Sequence, residues 1–260
     1  MFSQKLLKSR FLSYLILKLY RIISKNKNSF FIFENQTDQE LFVTNNICNN
    51  SNSRVVPGSG VDVNEYKSEP IKIDDSKLKI LFASRLLKGK GLYELVSAVD
   101  KMKNNGFQVE LNVAGIIDCD STEAISLNEI EKWHNDGIIN WLGQVNQNMN
   151  RVIASNDVVV LPTQYGEGLP RILIEANSCS RAIITTDIGG CKDFVKDGVT
   201  GILISQGNDE ELYLALNSML DRKFCQKLGI NGREHVLANY TTEHVINHYC
   251  SIYKKNFYSE

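Results

Sequence analysis

The sequence predicts an α/β chain built on a Rossmann-like, doubly wound parallel sheet, and three observations carry that expectation. From Leu78 onward, short apolar runs alternate with stretches of helical apolar spacing. One run, Val158-Val159-Val160-Leu161, is apolar at every position, as in a strand covered on both faces. It ends at Pro162, turns at Gly166 and Gly168, and gives way to Leu169, Ile172, Leu173 and Ala176 at helical spacing.

In order, the chain opens with a stretch rich in Leu, Ile and Phe over residues 2–25. Lys5, Lys8, Arg10, Lys18, Arg21, Lys25 and Lys27 all precede the first acid, Glu34. On a helical wheel Arg10, Lys18, Arg21 and Lys25 share a side. The apolar run from Phe11 to Leu17 is too short to span a bilayer, which takes about 20 residues. Two readings stand: a basic amphipathic helix on an anionic membrane surface, or a domain helix with a solvated basic side. A short strand is expected at 29–33. A helix is expected at 36–45, opening in an Asn35-Gln36-Thr37-Asp38 cap, and a strand from Val55 ends in the Gly58-Ser59-Gly60 turn before Val61-Asp62. Further strands are expected at 78–83, 108–114, 138–142, 157–161, 182–186 and 201–204. Helices are expected at 91–104, 122–135, 147–155, 169–179, 190–196 and 208–221, then at about 222–238 and 241–257 with no strand between.

Composition narrows the function classes. The chain has 260 residues and a net charge of −1, so nothing global favours nucleic acid, and no groove-like alternation of basic and aromatic residues exists. The six cysteines (48, 119, 179, 191, 225, 250) are scattered without a Cys-x-x-Cys pair. That argues for a reducing compartment and against a disulfide scaffold or structural zinc. With no signal-peptide cleavage pattern, the cytoplasm is the expected location.

Chemistry concentrates around residues 165–176. Glu167 lies in the turn before a helix and Glu175 about two turns into it. A helix N-terminus opening past the carboxyl end of a strand offers free N–H groups and a positive dipole to a phosphate. The flanking carboxylates suit sugar hydroxyls. Asp118-Cys119-Asp120 is a competing candidate, since two hard oxygen ligands after a strand can hold Mg²⁺ or Mn²⁺. The same acids also read as a polar loop leading to a helix capped near Ser121-Thr122. His244 and His248 stand four apart on a helix with no acidic third ligand, so a solvated face is expected there. His134 and His235 read as surface residues. No Ser-His-Asp or Cys-His arrangement is recognisable.

Glu167-Gly168-Leu169-Pro170, with Glu175 eight positions after Glu167, resembles the signature of retaining family 4 glycosyltransferases of the GT-B fold. Asp187-Ile188-Gly189-Gly190-Cys191-Lys192-Asp193 and Asp197-Gly198-Val199-Thr200-Gly201 extend the likeness, which covers about residues 54–255. Arg85-Leu86-Leu87-Lys88-Gly89-Lys90-Gly91 resembles the family's cationic loop, with Ser84 where glycine is usual. The resemblance implies that Arg85 and Lys90 meet the charge developing on a nucleoside diphosphate leaving group, each such donor being worth about 10²–10³ in rate. Arg85 would act as a fork and Lys90 as a point charge. It further implies Glu167 on the donor sugar, Glu175 on the ribose, and the Gly168 and Leu169 backbone on the diphosphate. Gln144 and Val145 would border the nucleobase, with Ile116 at the same pocket. With two cations in place, no metal or other cofactor is expected, and no protein nucleophile.

By the same resemblance, residues 1–66 are the remnant of an N-terminal acceptor-side domain, closed by Gly-x-Gly-Val-Asp at Gly58 to Asp62. Residues 67–240 form the nucleotide-sugar domain, and 241–260 a helix crossing back to the first part. The first strands of the N-terminal domain would have to precede Met1. The implied reaction is transfer from a UDP-sugar to a saccharide or polyprenyl-linked acceptor in polysaccharide or lipid-linked glycan synthesis, at the inner membrane face. Two alternatives stay open: an inactive nucleotide-sugar-binding module, and a sugar-nucleotide epimerase of related fold.

Overall fold

The computed structural model describes residues 2–26, 29–71, 73, 76–118 and 120–257, and for residues 2–11, 13 and 257 only the backbone. The side chains of Lys5, Lys8 and Arg10, together with Lys27 and Cys119, therefore lie outside the described residues.

Six strands form one wholly parallel sheet: β3 (Leu78–Ala83), β4 (Val109–Ala114), β5 (Asn140–Gly143), β6 (Val158–Leu161), β7 (Ala182–Thr186) and β8 (Ile202–Ile204). Their spatial order is β5-β4-β3-β6-β7-β8. The strand order runs outward in both directions from a central β3–β6 pair, which is the doubly wound arrangement. Ile80, Leu81 and Phe82 of β3 and all four residues of β6 are buried, as strands with both faces covered require. The connecting helices are α3 (Leu92–Asn104), α4 (Leu127–Asn135), α5 (Met149–Ala154), α6 (Arg171–Ser178) and α7 (Gly189–Phe194), with α8 (Asp209–Ser218) and α9 (Arg222–Asn239) after β8. Right-handed crossovers to left and right of the central pair put helices on opposite faces. Accordingly, α3 packs beside α8, and α6 packs beside α9 and α5.

Ahead of the sheet lie α1 (Phe2–Ile23), β1 (Phe31–Phe33), α2 (Gln36–Thr44) and β2 (Ser53–Val55), and α10 (Thr242–Phe257) closes the chain. β1 and β2 pair in parallel, Phe31 opposite Ser53. α10 buries Val245 and Ile252 against Val56, with Phe30, Ile32 and Tyr249 packed around them. α2 is capped by Asn35, whose side chain accepts from the Asp38 N–H, as its sequence suggests.

Three expectations need correction. The strand expected from Val55 to the Gly58-Ser59-Gly60 turn lies earlier, at Ser53–Val55. Val56 donates one more bond to Phe33 O, and Pro57, with no N–H, ends the pairing. The helix expected from 122 begins at Leu127, because Ser126 and Glu129 form a full capping box. Residues 123–125 are instead held to the loop after β3: Lys88 N donates to Glu123 O and Ile125 N to Leu86 O. Finally, His235 is no surface residue. It is half-buried, with its ring 5.7 Å from Phe194 and 5.1 Å from Tyr240.

Candidate functional site

Parallel strands deliver their loops to one edge, and the crevice at the carboxyl ends beside the central pair is where doubly wound sheets take ligands. Here that edge holds a cavity of about 250 Å³. Ser84 and Arg85 follow β3, Gly115 and Ile116 follow β4, Gln144 and Val145 follow β5, and Ile172 and Glu175 enter from α6; all line it. Five of the sequence-predicted residues (Arg85, Ile116, Gln144, Val145 and Glu175) are thus brought to one wall. A larger cavity of about 470 Å³ sits at the amino ends of the strands, between Lys79, Asp157, Arg151 and Glu69. It lies on the edge opposite the loops and gathers none of these residues.

Glu175 is 7% exposed, and Arg171, one helical turn earlier, reaches back to it, Nε to Oε1 at 2.7 Å. Burial pushes the Glu175 carboxyl above its usual range, against the opposing pull of Arg171 and a hydrogen bond from Tyr66. The Tyr66 hydroxyl is itself raised, first by burial and then by Glu175. Tyr66 and Arg171 were absent from the expected site. The i,i+4 spacing of Arg171 and Glu175 was visible in the sequence, whereas nothing in it linked Tyr66 to a residue more than a hundred positions later.

The second group lies in the loop between β6 and α6. Lys90, 8% exposed at the end of the short 3₁₀ turn Lys88–Lys90, pairs directly with Glu167 Oε1. Thr163, fully buried, donates to the same oxygen at 3.0 Å. The Tyr165 ring lies 5.1 Å from Lys90 Nζ and adds a cation–π contact. Gly168 and Leu169 do not line the 250 Å³ cavity; they carry the chain from Glu167 to α6, which no side chain caps. Gly190 lets α7 press against this loop, since a Cβ there would stand 1.3 Å from the Gly168 carbonyl.

Both expected cations therefore have acidic partners. Lys90 is held by Glu167, and the exposed Arg85 meets Asp118 at 3.3 Å. That second contact also engages half of the Asp118-x-Asp120 candidate. Among the described residues no group of three His, Cys, Asp or Glu side chains could hold a metal ion. His244 and His248 are both exposed on α10.

Comparison with known proteins adds to this geometry. The family model described as glycosyl transferases group 1 matches residues 63–235. The chain is 22% identical over 223 residues to the capsular polysaccharide biosynthesis glycosyltransferase CapM of Staphylococcus aureus, covering 77% of this chain and 55% of that one. It is 24% identical over 262 residues to N,N'-diacetylbacillosaminyl-diphospho-undecaprenol alpha-1,3-N-acetylgalactosaminyltransferase of Campylobacter jejuni, with 95% and 66% coverage. The crystal structure of Anabaena Alr3699/HepE in complex with UDP superposes with a TM-score of 0.76 at 19% identity, covering 87% of this chain and 64% of that one. The chain spans about half the length of several curated relatives it matches. With the family match extending over most of the sequence and over every strand of the large sheet, the chain belongs to the group 1 glycosyl transferases.

Proposed function

We propose that this chain binds a UDP-sugar at the carboxyl edge of its sheet and serves sugar transfer, with retention, in the manner of family 4. The observation that carries the reading is the convergence of Arg85, Ile116, Gln144, Val145 and Glu175 on one cavity. Glu175 would take the ribose hydroxyls, and the Gln144–Val145 edge and Ile116 the uracil. The diphosphate would lie at the uncapped start of α6, against the Gly168 and Leu169 backbone. Arg85 and Lys90 would neutralise it, leaving Glu167 between Lys90 and the transferred sugar. On this reading the C1–O bond to the β-phosphate breaks while the acceptor oxygen bonds C1 from the same face. The acceptor proton passes to a phosphate oxygen, and UDP leaves.

The acceptor belongs to the class that the relatives' names describe, a saccharide or polyprenyl-linked saccharide. Residues 1–66 and 241–260 would form the acceptor-side part and 67–240 the donor part, at the cytoplasmic face of a membrane. No metal is required in this scheme, so turnover should survive EDTA.

Calorimetric titration with UDP tests the reading. Micromolar-range binding that weakens at least tenfold in Glu175→Ala is expected; no binding of UDP by the folded chain would refute it. Because the chain spans about half of several of its relatives, a second reading is a binding module without turnover. UDP-sugar binding with no UDP release, even with lipid-linked acceptor present, would select that second reading. Donor isomerisation without acceptor would point to an epimerase.

A further inference from the structure

Glu34 stands where the small N-terminal sheet meets the loop leading into α6. It directly follows β1, and the next residue, Asn35, anchors the join and is 2% exposed. The Asn35 amide donates to the Gly168 carbonyl at 3.0 Å, while its Oδ1 accepts from the Asp38 N–H at 2.7 Å. Two residues on, the Thr37 N–H donates to the Asp193 carboxylate at 2.9 Å and fixes α2 against α7. The backbone around residue 34 is thus clamped to the donor-side loop by contacts from its own neighbours.

So placed, the Glu34 carboxylate projects over Gly168. One of its oxygens lies 2.5 Å from where a Cβ on that glycine would stand. The side chain is exposed, and among the described residues it makes no hydrogen bond or ion pair. Next to Gly168 in sequence is Glu167, already committed to Lys90 and Thr163. The Glu167–Gly168 turn therefore carries one carboxylate that is neutralised and has beside it one that is not.

An ionised carboxylate only accepts hydrogen bonds, so its complement is a donor group such as a hydroxyl. A diphosphate on the N–H side of Gly168 and Leu169 offers only acceptors and negative charge, so it is no hydrogen-bond partner for this carboxylate on the Cβ side. A sugar ring offers several hydroxyls and no charge. We propose that Glu34 contacts the sugar of the nucleotide-sugar, accepting a hydrogen bond from a ring hydroxyl and helping to select which sugar is held. This rests on the UDP-sugar reading above. Glu34 lies outside the matched residues 63–235, so the family match assigns it no role.

Calorimetry on the wild-type chain, Glu34→Gln and Glu34→Ala, with UDP, UDP-glucose and UDP-N-acetylglucosamine, tests the proposal. In Glu34→Ala the affinity for UDP should stay within twofold of wild type. The affinity for the better-bound UDP-sugar should fall about tenfold or more, the scale of a lost hydrogen bond to a charged group. Glu34→Gln, which keeps one carbonyl acceptor, should fall less. If UDP and UDP-sugar affinities change together, or neither changes, Glu34 does not touch the sugar and the proposal fails while the UDP-sugar reading stands. A wild-type chain that binds no UDP removes both. Unchanged melting of the variants by circular dichroism excludes unfolding as the cause.

Discussion

At the scale of single residues, the Lys90–Glu167 pair carries two jobs that one substitution would expose together. The side chains are 10% and 15% exposed, so removing the lysine leaves a buried carboxylate with Thr163 as its remaining side-chain donor. Breaking such a pair from one side costs about 3 kcal/mol. Lys90→Ala should lower the melting temperature and, if the chain turns over, cut the rate about 10²–10³-fold. Removing both partners in Lys90→Ala/Glu167→Ala should recover part of the stability but none of the rate, and a double-mutant cycle by urea unfolding would read the coupling. Glu175 makes a pH prediction. Burial raises its carboxyl in the folded chain above the unfolded value, so the native state keeps a proton that the unfolded state has lost. Stability must then fall as pH rises from the ordinary carboxylate range through the raised value. In Glu175→Gln that part of the slope should vanish, leaving a variant relatively more stable at neutral pH yet weaker for UDP. Thermal melts across pH 4–7 would check the first half. The residues that sequence reading found were those with a neighbour in the same motif. Asn35 and Tyr66 escaped it because each reaches its partner across more than a hundred positions, and Glu34 because only the fold brings it to Gly168.

At the scale of elements, one tight constraint is the crossing of α9 over the end of α6. Gly229 lies in the middle of α9, where exchanging glycine for alanine would ordinarily gain about 1 kcal/mol of helix propensity. Here an added Cβ would stand 2.1 Å from the Ser180 carbonyl, a backbone atom with little freedom to move. Gly229→Ala should therefore destabilise, by about 1–3 kcal/mol as for other overpacked cores. A raised denaturation midpoint would mean that α9 is free to shift. The regular elements were legible in the sequence wherever an uninterrupted period met a clear stop, as in Val158-Val159-Val160-Leu161 before Pro162. Legibility failed where a local hydrogen bond outbid the pattern. Ile138 and Ile139 look like the start of β5, but their N–H groups both close α4 on Trp133 O, so the strand waits until Asn140. Ser121-Thr122 looks like a helix start, yet the backbone of 123–125 is taken by the loop carrying Lys88. That diversion ties the loop leading to Lys90 to the rest of the wall.

At the scale of the whole molecule, charge and apolar surface are both unevenly spread. Seven basic residues and no acid precede Glu34, in a chain whose total is −1. Within the same stretch Leu12, Leu15, Ile16, Leu19, Ile22 and Ile23 are 43–58% exposed. Among the described residues, α1 meets the body through the Tyr20–Phe42 ring pair at 5.0 Å and the Arg21 Nε donation to Asn45 O. No helix among the described residues is long and apolar enough to cross a membrane. An apolar helix face flanked by cations fits an anionic bilayer surface, where each basic residue near the surface contributes about 1 kcal/mol. The chain should therefore sediment with phosphatidylglycerol vesicles and far less with phosphatidylcholine vesicles. Raising salt should weaken the binding by screening the charges, while the buried apolar contacts keep it above zero. Deleting residues 2–25 should abolish sedimentation, and Leu15→Ser/Leu19→Ser/Ile22→Ser should reduce it with the cations intact. Should the deletion leave vesicle binding untouched but lower the molecular mass seen in light scattering, α1 covers a protein neighbour instead. The exposed face would then be half of an interface, and the basic side chains its solvated rim.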